Sequence, residues 1–479
     1  MLRTPRLFVI LLFLALFTLA ARNVTDPDVW WHLRTGQLIC ETHSIPRTDP
    51  YSFTRFGQPW IDHEWLSQIV IYALYQIGSW TGLIIGFALV ITAACVVLFL
   101  RCEGQPYVAG VMTAWGAIAS VPCWGVRPQV FTILLTAVFL FLLERSDSRP
   151  NLLWWTLPLM VLWVNLHAGF AFGLALIGLF LCGNLLERTF GTRQDGSSLR
   201  KLFLALVLCT AVVPLNPYGF KLYRYPLETL HSKAMQAYIG EWFSPNFHEG
   251  RYLAALLMIL ATVIVPVFSP RRLKAREILL LVATTLMALR SVRHIPIYVL
   301  VAASILSAMV QAILQETGKA RVFATAPSPV PILKVILNNC LLLAMLVFSG
   351  TRIRSVILGQ AASEAREYPR AAAEYLETAG PHGQLLNHYN WGGYLIWKLY
   401  PTEKVFIDGR ADVYGDAFLD SFASAYFLRG QAWNEPIQYW HIQTIVLPPD
   451  APLIVALRCE PGWKAVFEDK QAVVLVKEK

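Results

Sequence analysis

The chain has 479 residues, of which 56% are hydrophobic and only 15% charged, with a mean hydropathy of +0.49. Ordinary soluble domains are about 45–50% apolar, so a single soluble globular domain is excluded. The formal charge of +9 would suit nucleic acid, but Lys and Arg gather in short segments between apolar runs, the distribution that sets membrane topology rather than a binding patch.

A bilayer core of about 30 Å asks for roughly 20 apolar residues per helix. Runs of this kind, some a little short, cover 7–21, 81–101, 107–123, 128–144, 152–166, 168–187, 201–215, 251–268, 276–291, 294–314 and 331–349, which predicts about eleven spans. Run 7–21 follows Arg3 and Arg6 and leads directly into further spans, so it reads as a retained first span rather than a cleaved signal peptide. Cys95, Cys182, Cys209 and Cys340 lie inside apolar runs, and no cysteine spacing suggests zinc or a redox pair.

With the N-terminus inside, Arg101, Glu144–Arg149, Arg188–Lys201, Arg271–Arg276 and Lys319–Arg321 all fall on the cytoplasmic side. Loops 22–80 and 216–250, and the chain after Gly350, then face the exterior. The expected fold is a polytopic α-helical membrane protein of the inner membrane. Its membrane domain covers 1–350, and a small extracytoplasmic α/β domain covers 351–479.

Loop 22–80 is rich in Trp, His and acidic residues, and Glu64–Tyr75 has the amphipathic pattern of an interfacial helix. Loop 216–250 is aromatic, with Tyr218, Tyr223, Tyr225, Tyr238 and Trp242, as an interfacial belt also requires. In the C-terminal part, Gln384–His388, Lys404–Asp408, Thr444–Leu447 and Ala472–Lys477 predict strands. Gly393–Leu399, Ala417–Leu428 and Pro436–Trp440 predict helices.

Directly after the first span stands Asp26-Pro27-Asp28, followed by Trp30, Trp31 and His32. Two carboxylates at this spacing can share a hard divalent cation such as Mg²⁺ or Mn²⁺, while Asp28 also suits an N-cap for a helix starting at Val29. The same loop carries Asp62, His63 and Glu64, where Asp62 again suits a cap. Acidic and imidazole groups gathered in one loop exceed what caps require and can host a general base, a metal, or both.

Further polar residues fall where helices end on the same side: Arg127, Asn165, His167, Asn216, Glu241, Arg293 and His294. Charges at membrane depth line a cavity or pair with one another. Arg127, Arg293 and His294 are candidates for a phosphate, with partner carboxylates as the alternative. The acidic and basic groups are expected to meet in one wet hollow.

Together these residues resemble the GT-C superfamily of polyprenyl-phosphate-dependent glycosyltransferases, which includes oligosaccharyltransferase catalytic subunits, protein mannosyltransferases and aminoarabinose transferases. The resemblance implies that Asp26 and Asp28 match the acidic motif of the first loop, and that Asp62 or Glu64 match its second acidic position. Tyr389-Asn390-Trp391-Gly392-Gly393-Tyr394 is similar to the acceptor-reading WWDYG motif of oligosaccharyltransferases, followed by the polar loop Asp408–Asp412, in which Arg410 would face the substrate. Glycine stands where that motif has Asp, so the resemblance carries the fold and the lipid-phosphate donor but not the acceptor.

The implied activity is transfer of a sugar from a polyprenyl-phosphate donor to a glycan, lipid or protein acceptor. Asp26, Asp28 and Glu64 are the catalytic candidates. His32, Asp62, His63, Arg127, Asn165, His167, Arg293, His294, Tyr394 and Arg410 are the binding candidates. A lipid-linked saccharide flippase or a non-catalytic assembly protein would share much of this pattern, although no inverted repeat is visible.

Overall fold

A computed structural model of the chain describes residues 4–189, 196–319, 331–380 and 383–478. Parts of the basic loops Arg188–Lys201 and Lys319–Arg321 lie outside the described residues. Hydrocarbon offers the backbone no hydrogen-bond partner, so an apolar run must close its own N–H and C=O groups. Each of the eleven apolar runs accordingly lies on helix.

Among the described residues, six helices are long and apolar enough to cross a bilayer: Trp65–Arg101, Phe170–Thr189, Ser197–Leu215, Gly250–Phe268, Val292–Glu316 and Ile332–Glu367. Burial sorts them. In the helix Ile295–Glu316 every residue from Ile295 to Met309 is buried, whereas Ile332–Glu367 exposes Ile332, Leu333, Ile336, Leu337 and Leu341. An all-round apolar helix takes either place, depending on whether protein or lipid surrounds it.

The chain forms two compact units. The first comprises Met1–Arg22, Ile84–Pro226 and Gly240–Ile357 and holds most of the apolar helices; the second comprises Asn23–Leu83, Leu227–Ile239 and Leu358–Lys479. Most of loop 22–80 thus folds with the C-terminal region instead of forming part of a 1–350 domain. Side chains that bond to the loop's backbone explain this. Gln360 brackets Val24, accepting from its N–H at 2.8 Å and donating to its carbonyl at 2.9 Å, and the Tyr368 hydroxyl donates to the Thr25 carbonyl at 2.8 Å.

Helix Trp65–Arg101 breaks at Gly78 and Ser79, where Ser79 takes φ 50°. The break separates the amphipathic stretch predicted for Glu64–Tyr75 from the apolar span beyond it. The second unit carries a four-stranded sheet in the order β1-β2-β4-β3, with β1 Gln384–Asn387, β2 Ile442–Leu447, β3 Trp463–Glu468 and β4 Val473–Lys477. Strand β1 runs parallel to β2, and β4 is antiparallel to both β2 and β3.

Two readings of the sequence change here. Lys404–Asp408 is no ladder strand: Val405 makes one isolated bridge to Ser52, and the Asn387 side chain takes up the backbone of Phe406 and Ile407. Strand β3 was not predicted, because its mostly solvent-facing residues show no apolar alternation.

Candidate functional site

The acidic residues lie in the second unit. Asp26 Oδ1 accepts the Asp28 N–H at 3.0 Å, which closes a tight turn before the helix Val29–Thr42. Asp28 occupies the N-cap position but makes no side-chain cap bond. Its Oδ1 instead accepts the Trp31 indole N–H at 3.0 Å. The capping interpretation therefore holds for the position of Asp28 and fails for its carboxylate.

Two glycines make room for this turn. A Cβ on Gly393 would lie 2.7 Å from the Pro27 carbonyl, and one on Gly409 would overlap Asp28 Oδ1. Glycine thus occurs in the Tyr389–Tyr394 segment for a packing reason: the Asp-Pro-Asp backbone presses directly on it.

Glu64 lies between two imidazoles, with His32 Nε2 at 3.8 Å and His63 Nε2 at 3.5 Å. All three are buried, and the His32 ring lies tilted by 38° against Trp31, with centroids 3.7 Å apart. Asp62 is buried too and accepts the Gln68 amide N–H at 2.6 Å. Burial pushes its carboxyl up to about 8, against the opposing pull of the Gln68 hydrogen bond and the Arg410 charge.

Arg410 and Tyr394 do not project toward a substrate. Arg410 is 2% exposed. It donates to Asp408 from Nε at 2.8 Å and Nη2 at 2.6 Å. Its Nη1 stands 2.8 Å from Asp49 Oδ1, an ionic contact without hydrogen-bond alignment. The guanidinium also lies over Trp60 and Tyr51, so it clamps loop 22–80 to the Asp408 segment. Tyr394 is fully buried, stacked on Tyr368 and edge-on to Trp30.

The basic residues lie in the first unit. Arg127 precedes the helix Gln129–Arg145, Arg293 stands on the turn Val292–His294, and Glu241 on the turn Gly240–Trp242. Arg127 Nη1 reaches Glu241 Oε2 at 2.7 Å and Arg293 Nη1 reaches Oε1 at 3.2 Å. The Arg293 guanidinium also covers the Trp242 ring at 4.5 Å.

Backbone contacts hold the two turns together, with the Ser291 hydroxyl donating to the Glu241 carbonyl and the Val292 N–H to that of Phe243. His294 sets its ring edge-on to Phe172 and Trp242. Burial works to raise the Glu241 pKa, but the two guanidinium groups outweigh it and hold the carboxyl below its usual value. Two guanidinium groups thus share this one carboxylate.

Asn165 and His167 form a separate network at the end of the helix Thr156–Leu166. The Gly169 N–H and the Thr132 hydroxyl meet His167 Nδ1 at 3.0 and 2.9 Å, while Asn216 bonds to the Val164 carbonyl and the Asn165 side chain. Sequence reading had placed Glu241 among the polar helix ends without a role. Its tie to Arg127 and Arg293 leaves no signal in spacing, because it arises only when distant turns meet.

As for a metal, the chain supplies the two carboxylates Asp26 and Asp28. Among the described residues no three His, Cys, Asp or Glu side chains form a group able to hold an ion. Such a pair fits Mg²⁺, which takes one or two protein carboxylates and fills its other positions with water and substrate oxygens.

No family model and no curated protein sequence matches this chain. Solved structures do. The archaeal oligosaccharyltransferase AglB from Archaeoglobus fulgidus, determined with an inhibitory peptide and a dolichol-phosphate, aligns with a TM-score of 0.61 at 11% identity, over 92% of this chain and 69% of that one. ArnT from Cupriavidus metallidurans, bound to undecaprenyl phosphate, aligns with a TM-score of 0.52 at 12% identity, over 98% and 97%. Arabinofuranosyltransferase AftD from Mycobacteria aligns with a TM-score of 0.50 at 12% identity, over all of this chain and 40% of that one. With its apolar helices and small C-terminal sheet, this polytopic membrane protein has the fold of the GT-C glycosyltransferases.

Proposed function

We propose that the protein is a glycosyltransferase of the cell membrane that moves a sugar from a polyprenyl-phosphate donor to an acceptor hydroxyl or amide on the extracytoplasmic face. The observation that carries this reading is the convergence of Arg127 and Arg293 on Glu241, within a fold shared by AglB and ArnT. Guanidinium groups match phosphate oxygens in geometry and charge.

In this reading the acceptor heteroatom attacks the anomeric carbon, the bond from that carbon to the phosphate oxygen breaks, and the acceptor proton passes to a carboxylate. The leaving polyprenyl phosphate gains a negative charge, which Arg127 and Arg293 stabilise. Asp28 is the first candidate for the base, with Asp26 beside it. Glu64, flanked by His32 and His63, is the second, since imidazole neighbours can relay its proton. A divalent cation held by Asp26 and Asp28 would supply Lewis-acid stabilisation of phosphate charge.

The test is sugar transfer by purified protein from polyprenyl-phosphate sugars to a panel of acceptors, comparing wild type with Asp28→Asn, Asp26→Asn and Arg293→Gln. Transfer that requires both carboxylate and arginine supports the reading. Transfer unchanged in all three folded variants removes the chemistry from these residues.

A further inference from the structure

The first unit holds a second charged site that the proposed transfer does not use. A cavity of about 240 Å³ is lined at one end of the helices by Arg101, Arg145, Lys274 and Arg276, among others, and deeper in by Phe180 and Ile305. Its position is fixed by the helices themselves. Gln129–Arg145 runs from beside Arg127 to Arg145 over 17 residues, a rise of about 25 Å. Ala275–Arg290 likewise starts at Arg276 and ends at the Arg293 turn. The cavity therefore lies about one hydrocarbon thickness from the Arg127 group, at the opposite boundary of the membrane.

Three ion pairs line it. Arg101 forks onto Glu144 at 2.9 and 2.7 Å, Arg271 onto Glu277 at 3.1 and 2.6 Å, and Arg276 Nη2 reaches Asp147 at 2.6 Å. These pairs cancel. Among the lining residues Arg145 and Lys274 then stand against Glu103, while Glu187, outside the lining, adds its charge beside Arg276.

Arg276 adds an independent sign. Its side chain is 8% exposed, and its Nη1 is buried with no hydrogen-bond partner among the described residues. A buried guanidinium nitrogen left without an acceptor is costly, and a bound anion would relieve that cost. Apolar walls beneath a cationic rim suit an anion joined to hydrocarbon.

We propose that this cavity binds a phosphate group, that of an anionic phospholipid in the leaflet opposite the transfer site, with Arg276 Nη1 and Lys274 as its donors. The same donors would also accept free inorganic phosphate, and the experiment separates the two sources. Delipidated full-length protein in detergent is titrated with phosphatidylglycerol, phosphatidylcholine and inorganic phosphate, with bound lipid counted by native mass spectrometry and stability followed by thermal shift.

Wild type is expected to bind phosphatidylglycerol in preference to phosphatidylcholine. Arg276→Lys, which keeps the Asp147 pair but lacks the second nitrogen, and Lys274→Gln, at an exposed position outside the ion pairs, should each bind it about tenfold more weakly. If inorganic phosphate alone stabilises wild type and displaces the lipid, the site belongs to free phosphate. Equal binding of the two lipids with no phosphate effect, or wild-type phosphatidylglycerol binding in both variants, overturns the proposal.

Discussion

The acidic and basic groups are built on opposite principles. In the second unit, the carboxylates are locked into packing: Asp28 lies against Gly409 and the Trp31 indole, and Asp408 and Asp49 share the buried guanidinium of Arg410. In the first unit, two arginines share the single carboxylate of Glu241. Charge sealed from solvent mainly fixes structure, whereas Arg127 and Arg293, with side chains 24% and 18% exposed, are placed to meet a ligand. Removing the Arg410 clamp should therefore cost stability, and removing an arginine from the Glu241 group should cost substrate affinity.

The largest effect is expected at Arg410. Arg410→Met would leave Asp408 and Asp49 buried without their counter-ion, a loss of about 3–5 kcal/mol. It should appear as a large drop in folded yield and melting temperature. A variant that melts like wild type would show that the clamp between loop 22–80 and the Asp408 segment is dispensable.

Asp28→Asn sharpens the contrast, because the amide oxygen can still accept the Trp31 N–H while the basic carboxylate is gone. Folded yield should hold, and the transfer rate should fall about 10²–10⁴-fold if Asp28 takes the acceptor proton. Gly409→Ala attacks the same contact from its other side and should reduce folded protein as well as transfer. Equal activity of Asp28→Asn and wild type would assign Asp28 to structure alone.

In the basic group, Arg293→Gln should raise the KM for a polyprenyl-phosphate donor about tenfold, the worth of one charge-assisted hydrogen bond. Glu241→Gln should shift donor affinity the other way, since it frees both guanidinium groups from their shared carboxylate. If both variants shift KM in the same direction, Glu241 positions the arginines more than it competes with the phosphate.

Much of this was legible in the sequence. Apolar run lengths located the helices because hydrocarbon leaves the backbone no alternative, and the 64–75 pattern marked the amphipathic stretch before the Gly78–Ser79 break. Asp26, Asp28 and Arg127 stand out in the sequence because charges beside membrane spans are rare. The partners were not legible. Arg410 reads as a substrate-facing residue of a polar loop, and nothing local announces Asp49, hundreds of residues earlier, as its counter-ion. Lys404–Asp408 has strand composition, yet its backbone is satisfied by the Tyr51 carbonyl, the Phe53 N–H and the Asn387 side chain, so pairing by distant groups replaced the ladder.

Asp62 offers the finest test, because the two units should respond to pH with opposite sign. Folded Asp62 keeps its proton up to about pH 8, while its ordinary value is 3.8. Between those values folding takes up a proton, so this group's contribution is fully present below about pH 4 and is lost as pH rises through about 8. Glu241, held low by Arg127 and Arg293, contributes at neutral pH and loses its contribution as pH falls through its folded value. Melting temperature measured across pH 4–9 should therefore lose part of its alkaline decline in Asp62→Asn, which keeps the Gln68 contact but cannot ionise, and part of its acid decline in Glu241→Gln. An alkaline limb unchanged in Asp62→Asn would mean that the Asp62 carboxyl is ionised in the folded protein, and that the Arg410 charge reaches it more strongly than its burial opposes.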